Sequence, residues 1–180
     1  MTAPTTGMYV EGRYVPAGPW AAQKIEDQVD HLKGSFRPGE AREERTLFDA
    51  YGAVADRAAA RALLTAAIGP KVVFHRLVLS PGRRAGLVRL SDLHILTRLV
   101  LMDLGDRLGQ RLVWVAAAHR NTDEPHIHVL LAGAAVRTRW PGHGTTTSVE
   151  LRTPQYALVR ERGDVRAAEI RALNGDGTAA

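Results

Sequence analysis

The stretch HRNTDEPHIHVLLAG, from His119 to Gly133, gathers three of the chain's seven histidines within ten residues. If HIHVLLAG is a strand, residues two apart point the same way. His126 and His128 then share one face, while Ile127, Val129 and Leu131 enter the core. His119 closes the preceding apolar segment on the face of Val115 and Ala117, and a hairpin brings it beside the other two rings. Three neutral imidazoles converging in this way suit one divalent ion, and a three-His set leaves coordination positions open for substrate. Asn121 and Asp123, in the connecting loop, are candidates to accept the second ring N–H of a ligating histidine and fix its tautomer. The competing account is a polar loop whose histidines only hydrogen-bond one another; three rings beside an acidic loop favour the metal. Imidazole prefers Zn, Ni, Co or Mn on affinity, whereas cellular supply favours Mg or Mn, so Mg or Mn are expected in use.

Composition limits the alternatives. With no cysteine in 180 residues, disulfides and thiolate metal sites are excluded, which suits a reducing cytosol. No apolar run approaches the roughly 18 residues of a membrane span, and MTAPTTG has no signal-peptide character. The expectation is a cytoplasmic protein without membrane contact. The formal charge is +5 and nearly all of it is Arg, since Lys occurs only at 24, 33 and 71. That balance invites an anionic partner, phosphate above all. A coding bias that raises Arg and Ala together explains part of it, as in ADRAAARALLTAA.

One domain is expected over residues 1–173, with a disordered tail at 174–180. GMYVEGRYVPAG reads as a strand or hairpin. In WAAQKIEDQVDHLK, Ala21, Ile25, Val29 and Leu32 recur every three or four residues, one face of a helix that Gly34 ends. SFRPGEAREER reads as a polar loop. A second helix is expected over Ala53–Ile68, then the strand KVVFHRLVLSPG. A long helix capped by Ser91 should end at Gly105 or Gly109. The strands RLVWVAAAH and HIHVLLAG form the hairpin, followed by a Gly/Thr-rich loop, a short strand at Val149–Arg152 and a helix from Pro154.

HRNTDEPHIHVLL, with HRLVLSPG, the long helix and LVWVAAAH before it in order, resembles the third motif of the conjugative relaxases and mobilization nucleases of the HUH endonuclease superfamily. The resemblance is good over Val72–Gly133 and loose elsewhere. It implies an α+β fold, a central antiparallel sheet flanked by helices with the histidines on its central strands. It further implies nicking of single-stranded DNA at a transfer origin, with a three-His metal polarising the scissile phosphate. A side-chain nucleophile would keep the 5′-phosphoryl group and free a 3′ hydroxyl. Ser80 matches a family serine placed near the DNA, and accessory mobilization proteins become candidate partners.

The family's early-helix tyrosine is matched here by His31, in QVDHL. One branch of mobilization relaxases is thought to use histidine at that place, which would give a phosphoramidate. His31 lies opposite the Ile25/Val29/Leu32 stripe, and Asp27, four residues earlier, is placed to orient its ring. An ordinary solvated Asp–His pair remains the alternative. Tyr156, at the start of the last helix, is the rival nucleophile, as in rolling-circle replication initiators or transposases. Tyr9 and Tyr14 are strand-like, and Tyr51 reads as a packing residue. His75 and His94 read as core or structural, and His143 as a loop residue. Arg76, Arg83, Arg84, Arg137 and Arg139 flank the site strands and are candidates for phosphate contacts. A degenerate, non-cleaving relaxase homologue is the reading from outside the enzymes. The short chain, without the further regions many relaxases carry, gives it weight.

Overall fold

A computed structural model describes residues 7–34, 45–82, 85–87, 89–119, 124–137 and 146–175. Five strands form one antiparallel sheet: β1 (Tyr9–Pro16), β2 (Leu47–Phe48), β3 (Val72–Ser80), β5 (Trp114–His119) and β6 (His126–Ala132), in the spatial order β1-β3-β6-β5-β2. Four helices complete the α+β architecture: α1 (Ala21–Gly34), α2 (Arg57–Thr65), α3 (Leu90–Leu108) and α4 (Thr153–Gly175). No helix among the described residues is long and apolar enough to cross a membrane.

The alternation of side chains along the strands sorts the core into two layers. On one face Leu77, Leu79, Trp114, Ala116, Ile127, Val129 and Leu131 pack against the apolar stripes of α3 and α4. On the other, Phe74, Val115, Ala117, Leu130 and Ala132 meet Ile25, Val29 and Leu32 of α1 and Ala60 and Leu64 of α2. Arg61 of α2 ties the two helices of that layer, bonding Asp30 at 2.8 Å and Glu26 at 3.1 Å. In the opposite layer Arg162 and Arg166 of α4 both bond Asp103 of α3 at 2.8 Å. α4 also holds β1: Asp164 accepts the Met8 N–H at 2.6 Å, and Arg160 donates to the Val10 carbonyl.

Several elements differ from the sequence expectation. A second sheet of β4 (Gln110–Arg111), β7 (Ala134–Arg137) and β8 (Thr146–Ser148) was unforeseen, because its strands are too short for an alternation to register. β8 replaces the strand expected at Val149–Arg152; Val149 is buried and donates its N–H to the Gly133 carbonyl just after the strand ends. α2 spans Arg57–Thr65 rather than Ala53–Ile68, because Asp56 caps it by accepting from the Ala59 N–H while Ala53 bridges Phe48. α3 begins at Leu90, so Ser91 lies inside it rather than at its cap, and it ends at Gly109 in the left-handed conformation. α4 runs through Gly175, so Asn174 and Gly175 belong to the helix and not to a disordered tail. Residues 176–180 lie outside the described residues.

Candidate metal and phosphate site

The β5–β6 hairpin pairs His119 with His126 and Ala117 with His128. Residues that are cross-strand or two apart share a face, so the three rings meet: centroids lie 4.3 Å apart for His119–His128 and 5.0 Å for each of the other two pairs. One ring nitrogen from each falls within 4.8 Å of the others. Three imidazole nitrogens this close form a donor set that suits a divalent ion. His119 is buried, and its Nε2 has no hydrogen-bond partner. An unpaired lone pair in that position is costly without a ligand and natural with a cation on it. The three residues therefore form a group that could hold a divalent ion.

The surroundings fix the rings. Nδ1 of His126 lies 3.0 Å from the Glu124 carbonyl; a carbonyl only accepts, so Nδ1 carries the proton and Nε2 is the nitrogen that would bind a metal. One residue on, the Pro125 carbonyl accepts from the Ser80 hydroxyl at 3.2 Å, so β3 braces the backbone that presents His126. Asn121 and Asp123, expected to support the ligands, lie outside the described residues, and a backbone carbonyl fills that role for His126. Burial is the first cause of low basicity here. It holds the His119 imidazole down to about 2, with His128, Arg45, His126 and His31 adding repulsion. His128 is held at about 4 by burial and then by His126, His31, Arg45 and Arg76. Both rings are neutral, the form that binds metal.

His31 comes to this face. Its ring centroid lies 6.4 Å from that of His128, edge to face, and the two line a recess of about 20 Å³ with Gln28, Arg76 and Val78. The ring is exposed on the polar side of α1, beside the buried Leu32. Burial by its neighbours, then Arg76 and Arg45, lowers its basicity and keeps the ring neutral. Asp27 does not orient it. That carboxylate accepts from Gln23 at 2.9 Å, the amide one turn earlier having taken it, and no hydrogen bond joins it to His31.

Tyr156 lies on the other side of the sheet. It packs against the α3–α4 core layer beside Gly12 of β1, so close that a Cβ at Gly12 would stand 2.2 Å from its ring. Burial raises the phenol's pKa, the opposite of activation. Gly12 is paired with Leu77, whose side chain faces away from the histidines.

Of the arginines, Arg76 reaches the site: it is exposed on β3 opposite Leu130 and acts on His31 and His128. Arg137 does not. β6 turns at Gly133 into β7, and Arg137 pairs there with Gln110, at the Trp114–Leu131 end of the hairpin and away from His119–His126. Arg83, Arg84, Arg139 and His143 lie outside the described residues. His75 is core, its Nε2 donating to the Val149 carbonyl at 2.9 Å, and His94 stacks on Phe48 at 3.9 Å. Tyr51 is 82% exposed, not the packing residue expected.

Arg45 was missed. The sequence offers it as the last residue of a charged run, and only the Leu47–Phe48 pair after it signals a strand. Leu47 pairs with Ala117 of β5 in antiparallel register, and continuing that register sets Arg45 opposite His119. Its N–H bonds the Lys33 carbonyl at 3.2 Å, which fastens it to the end of α1. No protein-family model matches the chain, and no curated protein matches it.

Proposed function

We propose that the chain is a metal-dependent nuclease of relaxase type, which nicks and transfers single-stranded DNA with His31 as the nucleophile. The observation that carries this reading is the meeting of His31 with the three-histidine group on one face of the sheet, while Tyr156 packs on the opposite face. The resemblance of the histidine motif to that of HUH relaxases supports it, as does the five-stranded antiparallel sheet with the three histidines on its interior strands β5 and β6. The partner is single-stranded DNA at a transfer origin, and the ion is Mg or Mn. When bound, that ion polarises a phosphate oxygen and offsets the charge that develops on it.

The chain's own residues supply the remainder. A neutral His31 ring nitrogen attacks phosphorus, forming a P–N bond as the P–O3′ bond breaks. The leaving oxygen takes a proton from water, and the ring's second nitrogen releases one. The product is a phosphohistidine at the 5′ side and a free 3′ hydroxyl. Low basicity at His31 serves this step, because only the unprotonated ring has a lone pair to give. Arg76, in the same recess, is placed to orient the strand by a phosphate contact.

The test is a covalent adduct. Protein incubated with Mn²⁺ and a panel of single-stranded oligonucleotides should yield a protein–DNA band on a denaturing gel, and that band should dissolve in mild acid. His31→Ala should abolish it, and Tyr156→Phe should leave it. An acid-stable adduct mapped to Tyr156 would instead make this a rolling-circle type initiator or transposase. Oligonucleotide binding without any adduct would make it a non-cleaving homologue.

A further inference from the structure

Arg45 is 7% exposed, and its Nε and Nη1 are buried without a hydrogen-bond partner. No carboxylate pairs with it among the described residues. A buried guanidinium in this state is expensive: the charge has left water, and two of its donors have nothing to bond. Such groups are retained where an absent anion completes them.

The position says which anion. Arg45 lies two residues before β2, where the Leu47–Ala117 register, if continued, would set it opposite His119 on the face of Leu47 and Ala117. Its backbone bond to Lys33 sets it at the C-terminal end of the helix that bears His31. It thus stands at one side of the three-histidine group, with Arg76 on β3 at the other. Among the described residues every charged neighbour that acts on His31, His119 or His128 is cationic, Arg45 among them in all three cases. A metal would add to that excess, and none of the charged groups acting on these rings among the described residues is acidic.

We propose that Arg45 is a built receptor for a phosphate anion: its unpartnered Nε–H bonds one oxygen of the group, and the open positions of the histidine-bound metal would take another. A guanidinium carries a permanent charge and N–H donors in fixed directions, which suits it to a phosphate oxygen. The receptor accepts inorganic phosphate by itself, and in the proposed nuclease it holds the phosphodiester under attack. That second part rests on the nuclease reading; the first does not.

The experiment uses the full chain and inorganic phosphate. Melting temperatures are measured in phosphate and in chloride at equal ionic strength, with metal-free and Mn²⁺-loaded protein. The general stabilisation by phosphate acts on every variant alike, so the difference between variants is the readout. Wild type should gain more from phosphate than Arg45→Gln or Arg45→Met, and Arg45→Lys should keep part of the gain. In phosphate-free buffer Arg45→Met should melt no lower than wild type, because it removes an unpaired charge. In ¹⁵N-arginine-labelled wild type, the Nε–H signal that Arg45→Lys deletes should move on adding phosphate.

Equal phosphate responses in all four proteins, an unmoved Nε–H signal, or variants that lose the fold in phosphate-free buffer would each overturn the receptor. The two readings fail separately. If phosphate discriminates as expected and no oligonucleotide is ever joined, the receptor stands and the nuclease falls. If Arg45→Gln forms the adduct with unchanged kcat/KM, rather than one at least about ten-fold lower, the nuclease stands and the receptor falls.

Discussion

His126 is the candidate ligand whose geometry is most closely prescribed, by Glu124 through its ring and by Ser80 through the backbone just before it. Removing its imidazole leaves His119 and His128, too few to hold an ion firmly. His126→Ala should therefore lose most bound Mn²⁺ or Zn²⁺ while folding normally, since the ring is only partly buried. Metal content equal to wild type would remove the site. The pH dependence of stability follows from the same rings. Burial, with repulsion from neighbouring cations, holds His119 at about 2 and His128 at about 4. Burial also lowers His75, against the opposing effect of its bond to Val149. In the unfolded chain these imidazoles titrate near about 6.5. The unfolded state therefore binds more protons than the folded one in the interval between. Stability is full above about pH 6.5 and is lost as the pH falls from there toward 4. The melting temperature of metal-free protein should decline over that window, and His75→Gln should flatten part of the decline. A constant melting temperature would mean that the rings are already charged in the fold.

At the scale of elements, the hairpin was legible because period-two alternation and a short polar connection are both local. His126 and His128 needed no more than that to be placed together, and His119 only the turn between the strands. α1 was legible by its stripe and by Gly34. What could not be read was determined by distant partners. Asp27 faces the right side of α1, but Gln23 takes its carboxylate. Arg137 is four residues beyond a predicted strand, yet the bend at Gly133 carries it to the far end. That bend is imposed by packing: a Cβ at Gly133 would stand 1.8 Å from the Val72 carbonyl oxygen. Arg45 gains its place from pairing with β5, a contact of long sequence separation that no local pattern encodes. Tyr156 is the clearest case, since being downstream of the histidines says nothing about which face of the sheet a helix covers. Its packing role gives a prediction. Gly12→Ala should destabilise by about 1–3 kcal/mol in denaturant titration, because the methyl group meets the Tyr156 ring. Adding Tyr156→Ala should recover part of that loss. A Gly12→Ala protein as stable as wild type would mean that the ring is free to leave.

Across the whole molecule, one layer of helices binds the sheet and the other presents chemistry to it. α3 and α4 are joined by the paired arginines on Asp103, and α4 clasps β1 through Asp164 and Arg160. α1 lies on the opposite face, fixed by Ile25, Val29 and Leu32 and by Arg61 from α2. β6 has a hydrogen-bonded neighbour on each side, β3 and β5. Such interior strands surrender their amide protons only when the entire structure opens, whereas an outer helix can lift in a smaller excursion. The amides of Ile127, Val129 and Leu131 should be among the slowest to exchange, and those of α1 should exchange through a lower-energy opening. Loading with Mn²⁺ should slow the β6 amides more than those of α1. Uniform exchange across α1 and β6 would show a single cooperative unit. The order β1-β3-β6-β5-β2 therefore separates two groups in time: under mild denaturant the chain should pass through a state that keeps the three histidines together but has lifted His31 away from them.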